Sequence, residues 1–170
     1  MTNNELQFKL KKCQQGDIKA FEEIYEGMKN PLMTVIMRII GDRQISEDIL
    51  QEVFIKLYFS PYTKEVLKPR AYIFKMASNM AIDTLRKQKP VVSLEECGEI
   101  PGNNCLDNGV RPDVEKALGK LIPDNRRIVT LHINAGLTFR EISNITGMPL
   151  GTVIWKYQRA IKELRKYLAD

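Results

Sequence analysis

The sequence is poor in the residues that build disulfide frameworks and structural zinc sites. Its 170 residues include three cysteines, Cys13, Cys97 and Cys105, and a single histidine, His132. An odd number of cysteines without ligand spacing argues against both a disulfide framework and a metal site, and indicates a reduced, cytoplasmic protein. We therefore expect neither a metal nor another cofactor.

Long apolar runs are also missing from the sequence. No segment approaches the ~20 apolar residues of a membrane span, and the N-terminus, MTNNELQFKLKKC, lacks the apolar stretch of a signal peptide. The sequence contains no paired-carboxylate metal motif, nucleophile elbow or phosphate-binding loop. These absences predict a cytoplasmic protein that does not insert into a membrane and is not an enzyme.

Basic residues and helical periodicity are the features that the sequence does have. Lysine and arginine number 26 against 21 acidic residues, for a net charge of +5 at pH 7. This charge suits a nucleic-acid partner but does not establish one, since many basic proteins bind none. Apolar residues recur at helical spacing over most of the chain, so we predict an all-α fold.

The N-terminal part of the chain predicts four helices. Asp17 can cap the first, and Pro31 is suited to open the second, which Gly41 then ends. Ser46 can cap the third helix. The fourth runs from about residue 70 to residue 87, after a loop over residues 59–68.

Residues 90–112 differ in character from the sequence on either side. Proline, glycine and asparagine are frequent there, helical periodicity vanishes, and the charge turns acidic. Such a composition is typical of a linker. We therefore predict two small helical bundles, residues 1–89 and 113–170, joined by a flexible linker over residues 90–112.

The C-terminal bundle contains the pattern of a helix-turn-helix. Thr138 and Glu141 have the spacing of a capping box, Gly147 is placed to end that helix, and Pro149 can open the next. In such a motif the second helix normally lies in the DNA major groove. An ordinary helical hairpin would share these signals, but the second helix also has a basic face, formed by Lys156, Arg159, Lys162, Arg165 and Lys166.

Three motifs, taken in order, resemble those of the sigma-70 family of bacterial sigma factors. Residues 46–54, SEDILQEVF, look like the polymerase-binding helix, and residues 71–86, AYIFKMASNMAIDTLR, look like the promoter-melting helix. Residues 121–127 and 138–160 are similar to the C-terminal promoter-reading domain. The arrangement of two domains without other regions resembles the extracytoplasmic-function (ECF) sigma factors.

The resemblance implies an RNA polymerase sigma factor that recruits core polymerase to specific promoters, recognises both promoter elements and helps to melt the DNA. Its polymerase-binding residues, facing the clamp helices of the largest subunit, would be Asp48, Gln51, Glu52 and Phe54. Melting of the upstream promoter element would fall to Tyr72, Lys75, Asn79, Asp83 and Arg86. The recognition helix would bind DNA through Thr152, Trp155, Lys156, Gln158, Arg159 and Lys162. Further contacts to the DNA backbone would come from Arg126, Arg127 and Arg140. An anti-sigma factor is an implied partner, besides core polymerase and promoter DNA.

The sequence departs from the family pattern in the recognition helix. Ile154 and Trp155 stand where the family usually has a basic residue followed by a small polar one. Apolar side chains can contact a thymine methyl but cannot pair with guanine as arginine does. This departure therefore shifts DNA recognition onto Lys156, Gln158 and Arg159 and onto positioning by contacts with the DNA backbone.

A second function remains open at this point, that of a stand-alone helix-turn-helix regulator not bound to polymerase. Such proteins usually bind DNA as dimers on palindromic sites. The stretch after Leu164 is short for a dimerisation helix. This favours the sigma-factor reading.

Overall fold

The computed structural model describes residues 1–59, 68–88 and 112–169. Every element within these ranges is a helix, which confirms the all-α prediction. The interior of the predicted loop, residues 60–67, and the predicted linker up to residue 111 lie outside the described residues. The helices, in chain order, are α1 (Asn3–Gln14), α2 (Ile18–Ile40), α3 (Arg43–Phe59), α4 (Pro69–Gln88), α5 (Pro112–Gly119), α6 (Pro123–Ile133), α7 (Phe139–Thr146) and α8 (Leu150–Ala169).

Helix α1 was not among the predicted elements. It begins with a capping box, in which the Thr2 hydroxyl accepts from the Glu5 amide at 3.2 Å and the Glu5 carboxylate accepts from the Thr2 amide at 3.4 Å. Leu6 and Leu10, one turn apart, are buried in the core. The threonine and glutamate at this spacing were the available signal for a helix start.

Helix α2 runs continuously through Pro31, so the prediction of a new helix at that proline is wrong. Proline inside a helix removes one backbone hydrogen bond and crowds the preceding turn. Here Met28 and Leu32, on either side of it, are completely buried, and tertiary packing outweighs the local cost. The predicted end is confirmed, because Gly41 adopts φ 79° and donates its amide to the Met37 carbonyl.

The start of α3 also corrects a prediction. Asp42, not Ser46, is placed as the cap, and its carboxylate accepts from the Ile45 amide at 2.9 Å. Ser46 lies one turn inside the helix, where it is buried and its hydroxyl donates to the Asp42 carbonyl. Both residues are good caps by type, and the helix starts at the earlier of the two.

The described helices of the two halves pack against each other. One apolar cluster contains α1–α4 residues together with residues of α6, α7 and α8, among them Ile128, Ile142 and Val153. A smaller cluster joins α5, α6 and α8 around Leu121 and Leu164. Helix α7 therefore packs against α4 of the first bundle, and α8 packs against α5, α6 and α7.

Three basic side chains of the first half reach polar groups of the second. Arg38 donates to the Glu115 carboxylate and to the Asn134 side-chain oxygen, both at 2.6 Å. Arg70 donates to the Ala135 carbonyl at 2.9 Å, and the Lys68 ammonium lies 3.1 Å from the Glu141 carboxylate. In this conformation the sequence-distant halves are joined by apolar packing and by charged hydrogen bonds.

No helix within the described residues is long and apolar enough to cross a membrane.

Candidate nucleic-acid interface

The capping box at the start of α7 is present as predicted. The Thr138 amide donates to the Glu141 carboxylate at 2.8 Å, and the Glu141 amide donates to the Thr138 hydroxyl at 3.3 Å. Burial would by itself raise the pKa of Glu141, but the hydrogen bonds from Thr138 and the ion pair with Lys68 outweigh it and lower the pKa below its ordinary value. The ionised Glu141 carboxylate therefore caps the N-terminus of α7.

The cap gives a pH-dependent stability that Glu141→Gln should remove. A carboxylate whose pKa is lowered by folding contributes stability above its unfolded pKa of ~4.3, and loses it as the pH falls through the folded value. We expect the free energy of unfolding of the unmodified chain to fall below pH ~4.3 more steeply than that of Glu141→Gln. Urea titrations between pH 7 and pH 3 measure this difference.

Glu22→Gln, which changes an exposed carboxylate on α2, is the matched control for that titration and should follow the unmodified chain. If Glu141→Gln also runs parallel to the unmodified chain over the whole range, the ionised cap contributes nothing.

The turn between α7 and α8 is formed by Gly147 and is stabilised by a side-chain hydrogen bond from Ser143. Gly147 has φ 74°, a left-handed conformation that glycine adopts without strain, and its amide donates to the Ser143 carbonyl. The Ser143 hydroxyl donates to the Met148 carbonyl at 2.7 Å. Helix α8 then begins at Leu150, directly after Pro149. The two helices and the turn of the predicted helix-turn-helix are therefore confirmed.

Three aromatic rings pack together and hold α8 against α6 and α7. His132 of α6 stacks on Phe139 of α7 at 4.3 Å between ring centroids, and Tyr157 of α8 contacts both at 4.9 and 5.0 Å. The His132 ring nitrogen Nδ1 lies 2.8 Å from the Leu137 carbonyl, which fixes the orientation of the imidazole. The rings set the direction in which α8 presents its outer face.

The predicted recognition residues on α8 differ in their freedom to bind DNA. Trp155, Gln158, Arg159 and Lys162 are exposed. Thr152 is half-buried. Lys156 has a side chain only 18% exposed and forms an ion pair with Asp124 at 3.0 Å. Its contact with the start of α6 makes Lys156 a residue that orients α8 in this structure, whereas the four exposed residues are free to meet DNA.

Arg126 does not lie on the DNA-facing surface, contrary to the prediction. The residue is 6% exposed, and its guanidinium donates to the Leu118, Gly119 and Leu121 carbonyls at 2.8–3.0 Å. Burial lowers its pKa, and the nearby charge of Arg38 adds to the effect. Arg126 holds together the corner between α5 and α6.

The other two predicted backbone contacts have different surroundings. Arg140 is exposed at the start of α7. Arg127 is half-buried, and its Nε and one Nη atom are buried without a hydrogen-bond partner. Burial lowers the pKa of Arg127, which the charge of Asp124 partly offsets. Of the three arginines, Arg140 is the one that is exposed, and it is therefore the best placed to contact a phosphate.

The predicted melting residues share one face of α4. Their spacing of three and four positions puts them on one side of a helix, and all five are exposed, namely Tyr72, Lys75, Asn79, Asp83 and Arg86. Phe74, which lies between two of them, is completely buried. Helix α4 thus presents a mixed polar, basic and aromatic surface to the solvent while its other side fills the core.

Helix α3 presents an acidic face in which one predicted residue does not take part. Asp48, Gln51 and Glu52 are exposed, with Glu52 paired to Lys56 at 2.9 Å on the same helix. Phe54 is 4% exposed and its ring packs 4.7 Å from that of Tyr25. We therefore assign Phe54 to the core between α2 and α3.

Comparison with known families and proteins agrees with this geometry. Residues 24–91 match sigma-70 region 2 and residues 111–164 match sigma-70 region 4. The chain is 28% identical to the ECF RNA polymerase sigma factor SigW of Bacillus subtilis (strain 168), over 95% of this chain and 96% of that protein. It is 26% identical to SigM of the same organism, over 85% and 94% of the two chains.

Two solved structures have the same fold. One is CnrH in complex with the cytosolic domain of CnrY, with a TM-score of 0.69 and 17% identity over 97% of each chain. The other is the sigma factor RpoE of Bartonella quintana in complex with the anti-sigma factor NepR. Its TM-score is 0.63, with 20% identity over 89% of this chain and 98% of that one.

Proposed function

The chain belongs to the sigma-70 family, within the ECF group of RNA polymerase sigma factors, and from this premise we propose that it brings core polymerase to a set of promoters, reads both promoter elements and helps to open the DNA. It performs no catalysis of its own. The observation that supports the proposal is that three chemically distinct exposed faces, on α3, α4 and α8, occur on one helical framework.

The acidic face of α3 is the proposed docking surface for polymerase. Asp48, Gln51 and Glu52 form it, whereas Phe54 is buried between α2 and α3. Opposite charges across an interface steer association and fix its register, so this face suits the basic clamp helices of the largest subunit. The other two faces remain exposed for DNA while α3 is engaged.

The exposed face of α4 is the proposed strand-opening surface. Extruding a base from the duplex costs a few kcal/mol. Aromatic and basic side chains recover such a cost by stacking on the base and by contacting its backbone. Tyr72 supplies an exposed ring on this face, and Lys75 and Arg86 supply positive charge.

The outer face of α8 is the proposed duplex-reading surface. Helix-turn-helix proteins place the N-terminal residues of the recognition helix against base edges. Trp155, Gln158 and Arg159 are exposed there, while Lys162 lies one turn further along, where a phosphate contact is expected.

An anti-sigma factor is the proposed regulatory partner. The RpoE structure of Bartonella quintana, which shares this fold, contains the anti-sigma factor NepR. A protein that covered the exposed faces of α3, α4 or α8 would stop this chain from joining polymerase or promoter.

Transcription with purified components tests the proposed function. Core polymerase is incubated with a library of genomic fragments, with and without this chain, and the transcripts are sequenced. We expect a discrete set of start sites that appears only when the chain is added. An unchanged transcript set would overturn the proposal, and loss of existing transcripts would instead favour a stand-alone repressor.

A further inference from the structure

The largest exposed apolar side chain on the outer face of α8 is an indole. Trp155, the only tryptophan of the chain, is 56% exposed. Tryptophan is largely buried in most folded proteins, so an exposed ring on a binding surface calls for a partner.

Helix geometry and packing direct this ring away from the protein. Val153 and Ala160 lie on the inner face of α8 and are completely buried, and Tyr157, on the same helix, contacts the rings of His132 and Phe139. At about 100° per residue, Trp155 lies roughly 200° around the helix from both Val153 and Tyr157. It therefore projects from the side of α8 opposite its core contacts.

The neighbouring guanidinium of Arg159 limits the motion of the Trp155 ring. The Arg159 guanidinium carbon lies 5.5 Å from the centroid of the Trp155 ring, within the range of a cation–π contact. Arg159 is itself held by Glu163, whose carboxylate lies 3.0 Å from its Nε. Trp155 thus belongs to an ordered row along α8, and less conformational entropy is lost when it binds.

We propose that Trp155 determines promoter specificity by packing against the C5-methyl group of a thymine in the major groove of the promoter element that α8 reads. This inference rests on the proposed function. The thymine methyl is the apolar feature that base pairs present in the major groove, and cytosine and guanine have no counterpart to it. Trp155 lies in the second turn of α8, within the part of a recognition helix that contacts bases.

The surrounding polar residues leave this contact to Trp155. Lys156 is engaged by Asp124 and is mostly covered. Gln158 and Arg159 are exposed, but amide and guanidinium groups pair with the polar edges of bases and with phosphates rather than with methyl groups. Recognition of a T·A pair under Trp155 therefore depends on apolar contact, which is measurable separately from hydrogen bonding.

Removal of single methyl groups from the DNA tests the proposal. A promoter recovered from the transcription experiment is remade with each thymine of the α8-read element replaced in turn by deoxyuridine, which lacks only the methyl. Binding of the reconstituted polymerase–chain complex is then measured for each DNA. For the unmodified chain we expect one substitution to weaken binding about fourfold, the change that accompanies exposure of one methyl-sized group.

The Trp155→Ala chain should bind the thymine and uracil promoters equally, although more weakly than the unmodified chain binds the thymine promoter. Lys162→Ala is the matched control, because loss of a phosphate contact should weaken both DNAs alike and keep the fourfold difference. Because Trp155 and Lys162 are both exposed, both variants are expected to fold. Circular dichroism checks this.

Two outcomes would overturn the inference. One is an unmodified chain that is indifferent to every uracil, and the other is a Trp155→Ala chain that retains the same sensitivity. Both leave the proposed function intact as long as the complex still transcribes from the all-thymine promoter. Absence of a specific complex on that promoter would instead remove the proposed function, and this inference with it.

Discussion

Reversing two charges on the acidic face of α3, by Asp48→Arg together with Glu52→Arg, is expected to abolish the binding of this chain to core polymerase. In the proposed complex, each substitution would replace an attraction to the basic clamp helices by a like-charge repulsion, which costs several kcal/mol in an interface. The dissociation constant should therefore rise at least about a hundredfold. Titration of labelled chain with core polymerase, followed by fluorescence anisotropy, gives this number.

The fold itself should tolerate these two substitutions. Asp48 and Glu52 are exposed, and the Glu52–Lys56 pair that would be lost is a surface pair on one helix. Such pairs contribute about 0.3–0.5 kcal/mol to stability.

Glu22→Arg with Glu26→Arg makes the same charge change on exposed positions of α2 and serves as the matched control. Unchanged polymerase affinity in the α3 variant, or an equal loss in the α2 control, would show that this face is not the docking surface.

The second large effect concerns Arg126, to which the resemblance to sigma factors assigned a contact with the DNA backbone. Replacement by alanine is expected to lower the free energy of unfolding by about 3 kcal/mol, because three backbone carbonyls lose a charged donor in a buried corner. In a chain of this length, that change lowers the melting temperature by roughly 6–12 °C. Thermal and urea unfolding monitored by circular dichroism measure it.

Arg140→Ala is the matched control, since it removes an exposed arginine from the start of α7. Its stability should change by no more than ~0.5 kcal/mol, while the salt dependence of promoter binding by the polymerase complex should become shallower by about one phosphate contact. The opposite pattern, with stability retained and the salt slope reduced in Arg126→Ala, would restore Arg126 to the DNA surface.

The helix-turn-helix was predictable because its determinants are local. The Thr138–Glu141 box and the left-handed Gly147 each depend on residues within four positions of one another. The same logic applies to Thr2 and Glu5, which mark the start of α1. Caps and turns of this kind satisfy backbone groups through neighbours in sequence, so their residue types suffice to identify them.

Local rules failed where tertiary packing decides. Pro31 is a good first residue of a helix, yet the buried residues on both sides of it carry α2 through without a break. Ser46 and Asp42 are both suitable caps, and propensity alone does not choose between them. The sequence indicates several possible helix starts, and packing in the core determines which of them the structure uses.

The direction of individual side chains was the least predictable property of the site. Arg126 and Arg127 are adjacent, so they point about 100° apart on α6, and only the position of α5 shows that Arg126 is enclosed. Phe54 sits within a run of site residues but packs against Tyr25. The bond from Arg38 to Glu115 joins residues 77 positions apart, and no local pattern indicates such a pairing.

Footprinting of one promoter with the chain alone, with core polymerase alone and with both tests the central claim most directly. Permanganate reactivity of unpaired thymines is read on the same DNA. If the chain reads and opens promoters as part of polymerase, both elements are protected and thymines become reactive only when the two are present together. Protection of a symmetric site by the chain alone, with no thymine reactivity when polymerase is added, would contradict the account.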